Sequence, residues 1–260
     1  MAREILPKPV RDDIDRTIAP HLMMRANKQG ASSVKTEEER HRFAHRMVAD
    51  LWELGYKIRK LESLSVKHVG ALMTYWHEKG IVAGTLHTRL SMIRIICGWM
   101  GKRNVVRHIT QYLPEEVVRR QAAVTESKAW EDKGIDPLEV IEKAKAIDER
   151  FAVMLAMQHH FGLRVKESIE LRPANAVVDG GQFLELYEGT KGGRPRRVPI
   201  RTDEQRKVLE WARRVAASGR SKRLRWPDRT WNQAQNRFYY LFNSRLGITR
   251  EELGISPHGL

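Results

Sequence analysis

Apolar residues recur at helical spacing through the first half of the chain. Three segments, 43–54, 69–76 and 86–100, place apolar side chains three or four residues apart, as one face of a helix requires. Thr36 with Glu39 resembles a capping box before the first segment, and Ser65 can cap the second. Three amphipathic helices joined by tight turns predict a compact bundle.

The second half mixes helical and alternating patterns. Asp136 and Pro137 predict a helix start, and a further apolar helix is expected to end at Gly162. The alternating string FLELYE, the turn TKGGRP and the string RRVPI predict a β-hairpin with Gly192 and Gly193 in its turn. Helices are predicted again over 203–217 and from a capping box at Thr230 and Gln233.

These patterns predict a mainly α protein with a small β-hairpin or sheet, an α+β fold class. The 260 residues, 41% of them hydrophobic, are enough for two domains. We expect a loose polar lead over 1–34, a helical domain over 35–124, a polar linker over 125–135 and a second domain over 136–260.

The charge of the chain indicates its class of function. Lys and Arg number 47 against 32 Asp and Glu, a formal net charge of +15. From Lys191 to Arg225 there are 13 basic and 3 acidic residues, interleaved with apolar positions such as Val208 and Trp211. Folded structure with a positive surface is therefore predicted, and nucleic acid is the expected partner.

Other classes are disfavoured by the sequence. The single cysteine, Cys97, lies in the apolar run IRIICGWM and is expected to be a buried core residue. No apolar run is long enough to span a bilayer, so a membrane partner is not expected and the chain reads as cytoplasmic. His41 and His45 are one helical turn apart but lack the glutamate of a metalloprotease motif, so they are predicted to face solvent or DNA.

Four segments together resemble the tyrosine recombinases, the phage-type integrases. They are GLRVKE (162–167), TKGGRPRRVPI (190–200), SPHGL (256–260) and the helical stretch from SLSVKH to CGWM (63–100). The resemblance implies a helical SAM-like core-binding domain over 35–124 and a tyrosine recombinase catalytic domain from residue 136. It implies a C-shaped clamp round duplex DNA, which the enzyme cuts and rejoins through a 3′-phosphotyrosine link.

The resemblance assigns three catalytic residues and one supporting residue. Arg164 would stabilise the negative charge of the reacting phosphate, since a guanidinium offers a planar, permanently charged donor fork. Lys191 would protonate the departing 5′ oxygen, and His258 would assist proton transfer at the nucleophile. Glu167 would orient the arginine or tie its helix to neighbouring elements, and the alternative is a plain surface carboxylate.

The resemblance leaves the enzyme question open. In the family box that begins at His258 a second arginine follows three residues later, and a tyrosine nucleophile follows further on, both after Leu260. Tyr239 and Tyr240 precede the histidine and are expected to be core or groove residues rather than substitutes for the nucleophile. The alternative is a non-catalytic DNA-binding module from a truncated or decayed integrase. A general RNA-binding protein is a weaker possibility.

Further basic residues are predicted to contact DNA phosphates, which would give affinity and salt dependence with little sequence reading. They are Lys35, Arg40, Arg42, Arg46, His87, Arg89, Arg94, Arg194, Arg196 and Arg197.

The resemblance also implies the partners. Double-stranded DNA is the principal one, with DNA-bending or excision proteins as accessory factors. A full-length enzyme would form a homo-tetramer on paired sites, whereas this chain is expected to be a monomer without DNA. No metal, nucleotide or other cofactor is expected, and the protein would associate with a bacterial nucleoid if its gene lies on a mobile element.

Overall fold

The chain folds into two compact units, Met1–Ala123 and Val124–Leu260. The computed structural model describes residues 6–24, 32–120, 127, 129–249 and 253–259. Each unit buries a hydrophobic cluster of its own.

The first unit is a helical bundle, as the apolar spacing predicts. Its helices are α1 (Lys8–Ile18), α2 (Val34–Glu53), α3 (Val66–Glu78), α4 (Ala83–Trp99) and the single turn α5 (Glu115–Val118). Met47, Leu72 and Leu90 represent the three predicted stripes, and all three are buried. Cys97 is buried and free, and burial raises the pKa of its thiol to about 11, which confirms it as a core residue rather than a nucleophile.

Helix α1 corrects the prediction of a loose N-terminal lead. Val10, Ile14 and Ile18 lie one turn apart on α1 and are buried. The Asp13 carboxylate, on the same helix, accepts a hydrogen bond of 2.8 Å from the Leu61 backbone N–H. The apolar spacing was present in the sequence, but the surrounding Asp, Arg and Lys residues obscured it, and only the bundle supplies the surface that buries this face.

Two helix starts show how local chemistry selects a boundary. Ser33, not Thr36, is the N-cap of α2, because the Ser33 hydroxyl accepts a hydrogen bond of 3.2 Å from the Thr36 backbone N–H. The predicted Thr36 cap is therefore wrong by three residues. Ser65 is the N-cap of α3, as predicted, and its backbone N–H donates to His68 Nδ1 at 3.1 Å.

The second unit combines helices with a small sheet. Its helices are α6 (Pro137–Ile147), α7 (Glu149–Phe161), α8 (Val165–Glu170), α9 (Asp203–Ala217) and α10 (Trp231–Tyr240). Asp136 caps α6 and Thr230 with Gln233 caps α10, as the sequence predicts. Every residue of α7 from Phe151 to Gln158 is buried, because α6 and α9 pack against this helix.

The three-stranded sheet is antiparallel, in the order β1 (Val177–Val178), β2 (Phe183–Leu186) and β3 (Arg196–Pro199). Leu184 lies opposite Val198, which confirms the predicted hairpin. Gly192 and Gly193 both have positive φ in its turn. The two-residue strand β1 was not predicted, since two valines carry too little periodicity to show a strand.

The predicted linker 125–135 contributes to the core of the second unit. Trp130 is fully buried, and its ring lies 5.7 Å from that of Phe242. The polar composition of the segment did not indicate that its one aromatic residue is a core residue.

No described helix is long and apolar enough to cross a membrane.

Candidate active site and nucleic-acid surface

Arg164 lies at the junction between the central helix α7 and the short helix α8. Gly162 ends α7 with φ of 59° and ψ of 37°, a left-handed conformation that glycine adopts readily. Arg164 is then the N-cap residue of α8. The glycine turns the chain sharply, so that the arginine stands at the end of the best-buried helix of the unit.

Glu167 holds Arg164 in two ways. Its Oε2 accepts a hydrogen bond of 2.8 Å from the Arg164 backbone N–H, and its Oε1 lies 2.7 Å from Arg164 Nη1. The Glu167 side chain is fully buried, whereas 49% of the Arg164 side chain is exposed. Glu167 thus fixes both the backbone and the guanidinium of Arg164, and the plain surface carboxylate considered in the sequence analysis is ruled out.

Arg196 completes this cluster from strand β3. Its Nη2 donates a hydrogen bond of 2.7 Å to Glu167 Oε2 and one of 2.8 Å to the carbonyl of Gly162. Burial by itself raises the pKa of Glu167, but the bonds from Arg196 and Arg164 outweigh burial and hold this pKa below its ordinary value. The cluster contains two guanidiniums and one carboxylate, so it keeps one net positive charge.

The base of the hairpin that carries Lys191 is packed directly on helix α8. Gly189 has φ of +77°, and a Cβ atom placed there would lie 2.7 Å from the backbone oxygen of Lys166. Only glycine permits this approach. Lys191 begins the turn Lys191–Gly193 at the tip of the hairpin. The position of its side chain lies outside what the structure describes.

Ion pairs tie the same hairpin base to its surroundings. Glu188 pairs with Arg223 at 2.7 Å, and Arg223 also lies 3.2 Å from Glu170 at the end of α8. Arg225 pairs with the other oxygen of Glu170 at 3.1 Å. The hairpin base and α8 are therefore joined by Arg223, which pairs with both, as well as by backbone contact.

His258 lies in the single turn Pro257–Gly259 near the end of the chain. Trp130 anchors this turn through two hydrogen bonds. Its indole N–H donates to the Ser256 carbonyl at 2.9 Å, and its backbone N–H donates to the Gly259 carbonyl at 3.3 Å. The turn also contacts helix α7. The backbone around His258 is thus fixed to the core, while its side chain lies outside the described atoms.

Most of the basic residues predicted to contact DNA are accessible. Exposed members of the set are Lys35, Arg42, Arg46, Arg94, Arg194 and Arg197. Arg89 is partly buried, with its guanidinium 4.7 Å from the centre of the Trp76 ring. His87 Nε2 lies 2.9 Å from the Val118 carbonyl. Arg196 belongs to the Glu167 cluster, a partner that its sequence position did not reveal.

Arg40 is used inside the protein. It is 7% exposed, and its Nη1 donates to the carbonyls of Leu22 and Met24 at 3.2 and 2.6 Å. Its guanidinium also lies 5.7 Å from the centre of the Trp99 ring. Arg40 therefore satisfies backbone carbonyls in the segment that follows α1, and it does not belong to the predicted DNA surface.

Part of the positive charge of 191–225 is neutralised by residues from elsewhere in the unit. Arg197 pairs with Glu185 at 2.7 Å and Asp179 at 2.9 Å, and Arg214 pairs with Glu149 at 3.1 Å. The local balance of the sequence segment thus overstates the charge of the folded surface.

His41 and His45 contradict the prediction that both face solvent or DNA. Their Nε2 atoms lie 2.8 and 2.7 Å from Asp15 Oδ1, and His45 is 3% exposed. The prediction failed because α1, which supplies Asp15, was not foreseen.

Two family models match the sequence. The model described as "Phage integrase, N-terminal" matches residues 16–106, and the model described as "Integrase" matches residues 116–249. The second match covers more than half of the 260 residues. The chain belongs to the phage integrase family of tyrosine recombinases, as its motifs indicate. A comparison with curated proteins finds no match.

A solved structure supports the fold. The chain is similar to a protein in the "Crystal structure of a lambda integrase tetramer bound to a Holliday junction", with a TM-score of 0.53 and 14% identity. The match covers 92% of this chain and 63% of that chain. This chain therefore matches less than two thirds of the length of the lambda integrase chain.

Proposed function

We propose that this protein binds duplex DNA and acts in site-specific recombination, with the Arg164–Glu167–Arg196 cluster receiving the scissile phosphate. The observation that carries the proposal is the contrast in exposure within the cluster. The Glu167 carboxylate is fully buried, yet the Arg164 guanidinium that it orients is half exposed. A buried counter-ion that leaves its arginine open to solvent suits a site for an external anion.

Arg164 would act on the transition state. Strand cleavage places excess negative charge on the non-bridging oxygens of the phosphate, and a fixed guanidinium stabilises that charge without reorganising. A guanidinium has five N–H donors, and Glu167 Oε1 occupies one nitrogen of Arg164. The remaining donors suit two phosphate oxygens. The net positive charge of the cluster adds to this preference.

Lys191 and His258 take the roles that the family assigns to them. Lys191 would donate a proton to the departing 5′ oxygen, and His258 would assist proton transfer at the attacking tyrosine. The packing of Gly189 on α8 and the anchoring of the 256–259 turn by Trp130 support these roles, since both fix the adjoining backbone. The reaction stores the phosphodiester energy in a tyrosyl link and so needs no ATP. It also needs the second arginine and the tyrosine that the family places after its histidine.

The test compares cleavage with binding. The protein made from its natural gene is incubated with a nicked duplex that traps the covalent intermediate, the duplex being one selected by the protein from a random pool. We expect Arg164→Ala to lower adduct formation about 10³-fold, the effect of removing a fixed transition-state donor. Affinity for the uncleaved duplex, measured by fluorescence anisotropy, should change by less than about threefold.

Arg194→Ala is the matched control, because Arg194 is an exposed arginine of the same hairpin. It should weaken binding slightly and leave cleavage of the bound duplex unchanged. Normal cleavage by Arg164→Ala would contradict the proposed role. Tight, salt-sensitive binding with no adduct from the unmodified protein would instead identify a DNA-binding module without catalysis.

A further inference from the structure

A second polar cluster lies in the first unit, on helices α1 and α2. His41 and His45 are one turn apart on α2, and Asp15 reaches them from α1. Both imidazole Nε2 atoms lie within 2.8 Å of the same oxygen, Asp15 Oδ1. One potential ligand atom from each of the three residues lies within 4.8 Å of the other two. Three metal-binding side chains thus converge on one point.

We propose that Asp15, His41 and His45 form a binding site for a divalent transition metal. The bound metal would join helix α1 to helix α2, and Zn²⁺ is the probe used to test the site. Two imidazole nitrogens and one carboxylate oxygen are a ligand set that zinc takes at three-residue sites, with water as the fourth ligand. Residues at i and i+4 direct both imidazoles to the same side of a helix. The site contains no thiolate, which fits Zn²⁺, Co²⁺ or Ni²⁺ better than Cu⁺.

Hydrogen bonding leaves the ring of His45 incompletely satisfied. Its Nδ1 is buried and has no hydrogen-bond partner among the described residues. This holds for a neutral or a protonated ring, because a buried donor and a buried acceptor both lose their hydration. Among the described residues, the interaction at Nε2 is therefore the only hydrogen bond of this ring that offsets the cost of burying the imidazole. A metal–nitrogen bond at Nε2 does this more strongly than one shared hydrogen bond to Asp15.

Rotation of the three side chains converts the observed geometry into a metal site. In a tetrahedral site with bonds of about 2.0–2.1 Å, neighbouring ligand atoms lie about 3.3 Å apart. The two nitrogen–oxygen distances here are 2.8 and 2.7 Å, so the carboxylate must withdraw by about half an ångström. The ligand atoms lie up to 4.8 Å apart, so the two imidazole rings must also turn towards each other. The Asp15 side chain is 44% exposed and the His41 side chain 28% exposed, which leaves room for this shift and an open side for water.

The position of the site gives it a consequence for the bundle. The family match begins at residue 16, so most of helix α1 precedes the matched region. Its apolar face and the Asp13–Leu61 hydrogen bond already hold α1 on the bundle. A metal bridging Asp15 to α2 would add a cross-link that depends on metal concentration.

The test is metal titration of the whole chain after removal of metal by a chelator. Calorimetry with Zn²⁺ should show one equivalent bound, and Co²⁺ should give the intense visible absorption of a four- or five-coordinate site. His41→Gln and His45→Gln should each weaken Zn²⁺ binding at least tenfold. His77→Gln is the matched control, since His77 is an exposed histidine of helix α3 in the same unit, and it should bind like the unmodified protein.

Circular dichroism of each metal-free variant separates loss of the site from loss of the fold. If His45→Gln unfolds, the more exposed residues decide the matter through His41→Gln and Asp15→Asn. The proposal is overturned if the unmodified protein binds no Zn²⁺. It is equally overturned if His41→Gln and Asp15→Asn bind Zn²⁺ as tightly as His77→Gln does.

Discussion

Asp15 in the first unit and Glu167 in the second are each held between two basic side chains, and the two clusters differ in their chemistry. Glu167 is fully buried between two arginines, whereas Asp15 is 44% exposed between two histidines. A guanidinium has no lone pair to offer and remains charged, so the Glu167 cluster can only present positive charge. An imidazole nitrogen can exchange its proton for a metal. The Glu167 cluster therefore suits an anion, and the Asp15 cluster suits a cation.

The two carboxylates also differ in how much lost hydration their neighbours must compensate. Burial raises the pKa of both groups, and hydrogen bonds to basic partners outweigh burial in each, so both pKa values fall below the ordinary value. Glu167 has no access to solvent, however, and depends wholly on its partners. Asp15 keeps part of its hydration. Removing the charge should therefore matter far more at Glu167.

The largest expected effect on stability comes from Glu167→Gln. This change leaves two arginines without their shared counter-ion, and breaking a buried ion pair costs about 3–5 kcal/mol. Because both arginines are partly exposed, we expect about 3 kcal/mol in the free energy of unfolding of the second unit. Asp15→Asn is the counterpart and should cost about 1 kcal/mol in the absence of metal. Urea unfolding measures both, and equal losses would contradict the comparison.

The next effect concerns the backbone contact beneath the Glu167 cluster. Gly189→Ala places a methyl group 2.7 Å from the Lys166 backbone oxygen at a positive φ. We expect a loss of about 2 kcal/mol from strain and displacement of the hairpin, together with slower DNA cleavage.

Gly193→Ala provides the control for this prediction. Gly193 also has positive φ, at +68°, but nothing lies within 4 Å of an added Cβ atom. It should lose only about 1 kcal/mol. If the two alanine variants are equally stable, the close packing of the hairpin on α8 does not constrain the site.

A smaller effect appears in the pH dependence of stability. A carboxylate whose pKa is lowered on folding stabilises the protein above its unfolded pKa, and this contribution is lost as pH falls through the folded pKa. For Glu167 the loss begins below the ordinary value of 4.5. The stability difference between the unmodified protein and Glu167→Gln should therefore shrink as the pH falls below about 4.5. Urea unfolding at stepped pH tests this, and a constant difference would refute it.

The smallest effect is on DNA affinity. Arg194 is exposed, whereas the neighbouring Arg197 pairs with Asp179 and Glu185. Arg194→Ala should lower the slope of log affinity against log salt by about 1, the value for one phosphate contact. Arg197→Ala should change the slope less, because its charge is already neutralised. Anisotropy titrations across a salt series decide between them, and the reverse ranking would exclude Arg194 as a phosphate contact.

The sequence predicted those features that depend on near neighbours in the chain. The hairpin, the caps at Ser65 and Asp136 and the core position of Cys97 each follow from residues within one or two turns. Glu167 as the partner of Arg164 belongs here too, since three residues separate them at a helix start. Helix α1 was missed because its apolar face needs the bundle to bury it.

Tertiary structure alone decided which distant charges meet. Arg196 reaches Glu167 across 29 residues, and Asp15 reaches His45 across 30. Arg40, which looked like a DNA contact, is directed inward to two carbonyls. The physical reason is that periodicity and caps are set by neighbouring residues, whereas the partners of a charged side chain depend on which elements pack together. The sequence therefore determined the family, most of the helices and the pairing of Arg164 with Glu167, and the fold determined the environment of each charge.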